Sequence, residues 1–247
     1  MSPSRLARRP GRSDLSTRQY PCQTGSITYD QHMMHARDER AALCDLLAEL
    51  GADEPTLCAG WQTADLAAHL VLRERRPDAG AGVMGGPLAG YTNRVQAGLI
   101  KRMPYPRLVD LIRTGPPRMS VFGLPGADER LNLVEYFVHH EDVRRGQPGW
   151  KPRELNADLS ALLWNRLGMA RLMLRKAPVG VELVRADAGT GDARVRMTAK
   201  ARTPVVTVTG DPSELTLWVM GRTGAADVRM TGSDGDVALL KSWSARH

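Results

Sequence analysis

The sequence predicts a mainly α fold, a four-helix bundle followed by a small α+β unit. Two observations carry this. From about residue 35 to 177, apolar residues recur at three- and four-residue spacing, the period of a helix that buries one face. Beyond Pro178 the period drops to two, in short β-branched runs separated by Gly or Asp. The chain divides accordingly into a basic tail (1–32), a helical bundle (33–177) and an α+β unit (178–247).

Each element has its own signal. Over residues 35 to 50, Leu43, Leu46, Leu47 and Leu50 fall on one helical face with charged residues opposite, and Gly51 stands at the stop position. Thr63 as N-cap, with Asp65 in the first turn, opens a second helix, ADLAAHLVLRERR, that runs to Pro77. A glycine-rich loop, Ala79 to Gly86, leads to a third helix with Tyr91, Val95, Leu99 and Met103 four apart, ended by Pro104. A short helix over Arg107 to Arg113 follows. The stretch TGPPRMSVFGLPGAD reads as a long loop, after which Asp128 caps a helix reaching about Arg145, with Gly146 at its end. Asn156 caps another, carrying Leu159, Leu163, Leu167 and Met173 and stopped by Pro178. GVELVRAD, ARVRMTA and PVVTVTG alternate as antiparallel strands do, and the strand DVRMTG lies between two short helices, SELTLWVMGR and DVALLKSW.

Composition narrows the function. In 247 residues no stretch approaches the roughly 20 uninterrupted apolar residues that cross a bilayer, so no membrane span is expected. The net charge of +7 nominates nucleic acid or an acidic surface as partner. Arg5, Arg8, Arg9, Arg12 and Arg18 against Asp14 and Asp30 place +3 of it in the tail. That tail has no aromatic interleaving, which makes nucleic acid the lesser expectation, and it lacks the apolar segment of a secretory signal. Met33 or Met34 is a sensible initiator, because helical patterning starts just after them. The three cysteines form no CxxC pair, so neither a disulfide framework nor a thiolate cluster is expected, and the reducing cytoplasm is the expected location. Cys44 and Cys58 read as small buried apolar residues with no base beside them.

The chemistry concentrates in LNLVEYFVHHEDVRRG. Glu135 and His139 are four apart and share a helix face, flanked by Leu131 and Val138, so both aim at the bundle interior. An unpaired carboxylate is costly there. A divalent cation compensates it, and a third ligand from another helix would close a facial set. Of His32, His35, His69, His140 and His247, His69 alone lies inside an expected helix on its apolar face, beside Leu66 and Leu70. Two His and one Glu leave a coordination position open, as in catalytic zinc sites, and the set also suits nickel, iron or manganese. Asp142 and Asp65, each about one turn away, are placed to orient the imidazoles. His140 would replace His139 if the helix register shifted by one. The bland alternative is a pair of intrahelical hydrogen bonds without metal.

The motifs GWQTADLAAHL (Gly60 to Leu70), VEYFVHHEDV (Val134 to Val143) and SELTLWVMGR (Ser213 to Arg222), in this order and spacing, resemble the mycothiol-dependent maleylpyruvate isomerase family of the DinB-like metal-binding bundle superfamily. RDERAALCDLL, PTLCAGW and HLVLRERRPDA resemble one actinobacterial branch of it, and the likeness runs from Met34 to the C-terminus. The resemblance implies a DinB-like four-helix bundle followed by a small sterol-carrier-like α+β domain. It implies a divalent metal, most often zinc, on His69, Glu135 and His139, and mycothiol as cosubstrate with its sulfur at the open metal position. A metal-bound thiol loses its proton near neutral pH, which supplies a thiolate nucleophile. Arg222 matches a family arginine that holds an anionic group of substrate or cosubstrate. The partners implied are a small-molecule thiol and an electrophilic substrate, joined in an isomerase or a thiol transferase. Fold likeness alone does not fix the reaction. The alternative is a non-catalytic metal-containing module that binds a small or apolar ligand. For Arg73, Arg75 and Arg76, one to two turns past His69, an exposed charged rim is the first expectation and a position facing the cleft the alternative.

Overall fold

A computed structural model describes residues 34–80, 87–117, 120, 126–186 and 195–246. The tail with Cys22 and His32, the expected start at Met33, most of the glycine-rich loop, part of the long loop, the first residues of ARVRMTA, and His247 lie outside the described residues.

Helix α1 (His35–Leu50) turns Leu43, Cys44 and Leu47 inward as its periodicity requires. Helix α2 (Thr63–Arg75) starts one residue earlier than expected in its cap: Gln62, not Thr63, is the N-cap. The Thr63 hydroxyl donates instead to the Gly51 carbonyl at 2.5 Å. After a single turn, α3 (Pro77–Gly80), comes α4 (Ala89–Arg102). Its most buried residues are Thr92 and Gln96, which bond the Ala79 and Asp65 carbonyls; of the expected stripe, Leu99 and Met103 pack against the core while the Tyr91 hydroxyl pairs with Asp78 at the surface. Helix α5 (Tyr105–Arg113) begins directly after Pro104.

Helix α6 (Ala127–Arg145) is capped by Gly126. Asp128 lies inside the first turn, where its carboxylate accepts from Arg40 and Asn132 and is not free to cap. Helix α7 (Ala157–Arg166) carries the expected cap, with Asn156 accepting from the Leu159 amide at 2.8 Å. The helix does not continue unbroken to Pro178. It tightens to 3-10 geometry at Leu167–Met169 and Leu174–Lys176 around one α turn, α8 (Ala170–Met173). The tighter winding lines up residues three apart, and Leu167 and Ala170 thereby enter the same core.

α1 packs along α6 and against α5, and α2 packs against α4 and α5. Leu43, Leu47, Leu66, Leu70, Leu108, Ile112 and Tyr136 fill the space between them. At roughly 1.5–3 kcal/mol per buried large apolar side chain, this core dominates the stability of the helical part.

The α+β part is a four-stranded sheet in the order β2-β1-β3-β4, made of β1 (Gly180–Arg185), β2 (Arg196–Lys200), β3 (Val205–Gly210) and β4 (Arg229–Thr231). β1 pairs antiparallel with β2, and β3 with β4. β1 and β3 are parallel, a departure from the all-antiparallel expectation. The reason lies at Gly180. The chain leaving β2 crosses the start of β1 so closely that a Cβ on Gly180 would sit 1.9 Å from the Arg202 carbonyl, and β3 then starts beside the start of β1. Helices α9 (Pro212–Val219) and α10 (Asp234–Ser244) complete the unit. Trp218, Leu215 and Leu240 pack on Val181, Leu183, Val206 and Val208, together with Leu167, Ala170 and Leu174 from the end of the helical run. No described helix is long and apolar enough to cross a membrane.

Candidate metal centre

α2 brings His69 and α6 brings Glu135 and His139 to one point in the interior. His69 Nε2 lies 3.4 Å and His139 Nε2 3.3 Å from the same oxygen, Glu135 Oε1. The two imidazole rings meet edge-on, 5.2 Å apart, and their ligand atoms and that of Glu135 all lie within 4.8 Å of one another. Both histidines are buried while the Glu135 carboxylate keeps an opening to solvent. Burial lowers the His69 pKa, so its imidazole is neutral and has a lone pair to offer. Glu135 is held well below the usual carboxylate range: burial works against this, but the bonds to His139 and His69 and the nearby Arg73 charge prevail.

His139 is oriented from its other side. Its Nδ1 lies 2.9 Å from Asp142 Oδ2, which leaves Nε2 aimed at Glu135. Burial alone would lower the His139 pKa, yet Asp142, Cys58 and Glu135 raise it well above the ordinary value. Asp142 is fully buried, and although burial opposes it, Arg222 and His139 bring its pKa down to about 2. His140 points elsewhere and pairs with Glu39 of α1 at 2.8 Å, so the register that selects His139 is the one the helix adopts.

Asp65 does not orient His69. Its carboxylate accepts from the Gln62 amide at 3.0 Å, closing the N-terminus of α2, and His69 is instead flanked by Glu135 and the Trp61 ring. Arg222 is present but already engaged: Nε and Nη2 bind the two oxygens of Asp142 at 2.8 and 2.6 Å, and Nη1 donates to the Met220 carbonyl. It steadies the carboxylate behind His139, and its side chain, 20% exposed, also lines a cavity. Of the expected arginine rim, Arg76 pairs at the surface with Asp78, Arg75 is spent on the Leu111 and Gly115 carbonyls, and Arg73 turns inward to within 3.4 Å of Glu135.

Two residues of the centre stand outside the expected ligands and their orienting groups. One is Arg73. The other is Cys58, which is only partly buried and lies 3.2 Å from Asp142 Oδ2 and 3.6 Å from Arg222 Nη2. Cys58, His139 and Asp142 also form a ligand set by distance, but the Arg222 guanidinium already occupies the cationic position beside Asp142. In the set of His69, Glu135 and His139 the carboxylate is 20% exposed while Asp142 is fully buried, and Arg73 stands beside Glu135 as Arg222 stands beside Asp142. The loop carrying Cys58 and Trp61 is strapped to the end of α6. The Leu57 amide donates to the Asp142 carbonyl, and Gly146 approaches Pro55 so closely that a Cβ would lie 2.5 Å from its carbonyl oxygen. A cavity of about 560 Å³ opens beside Cys58 and Arg222, between residues 57–59 and 220–225 with Trp150 at its edge. Cys44 behaves as expected, a buried thiol whose pKa burial raises to about 11.

Residues 33–97 match the family model for the mycothiol maleylpyruvate isomerase N-terminal domain. No curated protein matches the chain. Among solved structures, the crystal structure of the mycothiol-dependent maleylpyruvate isomerase is 15% identical, with a TM-score of 0.50, over 82% of this chain and 92% of that one. A histidine-to-alanine mutant of that enzyme gives 14% identity and a TM-score of 0.54 over the same shares. At these identities the likeness is one of fold, a helical bundle joined to an α+β unit.

Proposed function

We propose that the chain, whose residues 33–97 match the family model for the mycothiol maleylpyruvate isomerase N-terminal domain, is a divalent-metal enzyme that uses mycothiol, as an isomerase or a thiol transferase acting on a small electrophile. The single observation that supports this most is the convergence of His69 and His139 on one oxygen of Glu135, from two helices. A divalent cation, zinc by preference for this donor set, would acidify a bound thiol so that a thiolate forms near neutral pH.

The protein residues do the rest. His69 offers a neutral imidazole, and the Trp61 ring at 5.1 Å covers it against water. Asp142 accepts a hydrogen bond from His139 Nδ1 and would thereby direct Nε2 to the ion, as carboxylates behind ligating histidines do. Arg222 fixes Asp142 from the α+β part. The cavity beside Cys58 and Arg222 has room for the thiol cosubstrate. We place the activity in the cytoplasm, where Cys44 and Cys58 remain thiols.

Metal analysis of the purified protein, with His69→Ala and Glu135→Ala beside it, is the direct test. About one ion per chain in the parent and a marked loss in both variants is the expected outcome; unchanged stoichiometry in both sinks the site. Thermal-shift measurements with mycothiol and with fatty acyl ligands separate an enzyme from a binding module. The cavity among Met173, Leu174, Trp218 and Trp243 is about 120 Å³, the scale of a cavity that accepts one benzene rather than a long acyl chain. Stabilisation by mycothiol is therefore the expected result.

A further inference from the structure

Arg73 lies one turn beyond His69 on α2, and its Nε sits 3.4 Å from Glu135 Oε1, the same oxygen that faces His69 and His139. Its hand is held from α6: Nη2 donates to the Leu131 carbonyl at 3.1 Å, one turn before Glu135, and Nη1 to Asn132 Oδ1. Asn132 is itself buried and fixed, donating to Glu74 Oε1 and Asp128 Oδ1. The side chain is 17% exposed, so solvent screens its charge only in part. The neighbouring arginines are committed elsewhere: Arg75 to the end of α5, Arg76 to Asp78, and Arg222 to Asp142.

We propose that Arg73 is a positioning residue of the metal centre, an internal cation that holds Glu135 and competes with the divalent ion for it. In the metal-free protein the guanidinium keeps the carboxylate directed at the two imidazoles. Once an ion arrives, two cations share one carboxylate oxygen at close range, and their repulsion lowers the affinity for the ion. The centre is thus pre-formed at a cost in binding strength, and the added positive charge favours an anion, such as a thiolate, over water at the open position. This rests on the metal reading above.

Zinc affinity of the full chain, measured by competition with a chelator, tests it in the parent, Arg73→Gln, Arg73→Met and Arg73→Lys. The neutral variants are expected to melt at a lower temperature without metal yet to bind zinc roughly tenfold more tightly, with Arg73→Lys close to the parent. A merely structural arginine gives the opposite sign, weaker binding along with lower stability. Unchanged or weaker zinc binding in both neutral variants overturns the proposal while leaving the metal reading intact. If neither the parent nor any variant binds zinc or another divalent ion, both fall.

Discussion

At the level of single residues, the centre is built on the buried carboxylate of Asp142, which holds the His139 imidazole, the Arg222 guanidinium and the Cys58 thiol. Asp142→Ala removes the partner of a buried cation, a change that costs about 3–5 kcal/mol. Denaturant unfolding should show a loss of that order, and metal affinity should fall with it. Cys58→Ser is expected to leave metal stoichiometry unchanged, because the thiol lies beside Asp142 on the Nδ1 side of the ring and the ion on the Nε2 side; metal analysis checks this. His69, Glu135 and His139 were legible in the sequence because each stands on an apolar helix face where a polar group needs a reason. Cys58 and Arg73 were not, since their partners lie 84 and 62 positions away and neither breaks a local pattern. Asp65 misled for a related reason: the helix end and the imidazole compete for one carboxylate, and the nearer backbone amide wins.

Periodicity made the elements readable, down to the ends of α1 and the Asn156 cap of α7. It failed where a tertiary contact decides. The parallel pairing of β1 with β3 depends on a crossing at Gly180 that alternation cannot reveal, and on α4 the burial of Thr92 and Gln96 beside the Leu99–Met103 stripe comes from bonds to backbone carbonyls. At the end of α6, Gly146 is a site of close approach to the loop that carries Trp61 and Cys58. Gly146→Ala would bring a methyl group 2.5 Å from the Pro55 carbonyl and 2.9 Å from Thr56 Cα. Both contacts are backbone, so the loop must shift. We expect a loss of about 1–3 kcal/mol, read by denaturant unfolding, together with altered fluorescence of Trp61.

Across the whole molecule, buried ion pairs rather than apolar area mark the seams. Glu39 of α1 and Glu141 of α6 are both bound by Arg153, with Glu141 also held by Arg145 and Arg144. Burial would raise both carboxyls, but these partners, with His140 for Glu39, hold them below the ordinary value of 4.5. A carboxylate depressed in the folded state stabilises above its unfolded pKa, and that contribution is lost as pH falls through the folded value. The contribution of these two carboxylates should therefore be constant near neutrality and decline below about pH 4.5. Arg153→Ala should lower the plateau and soften the decline, measured as denaturant midpoints across the acid range. The net charge of +7, the loudest signal in the composition, turns out to say little about these seams. Many of its arginines are neutralised inside.

Two of those seams run in opposite directions. Arg145 of the helical part reaches Glu214 of the α+β part at 2.6 Å, and Arg222 of the α+β part reaches Asp142 of the helical part at 2.6 Å. Each half lends the other a cation, Arg145 buried and Arg222 half-buried. Expression of residues 34–177 alone would leave Arg145 and Asp142 without those partners, and expression of 178–246 alone would strand Glu214 and Arg222. Gene dissection at the change of periodicity should thus yield insoluble or partly folded fragments, while the two pieces produced together should reassemble by exchanging arginines.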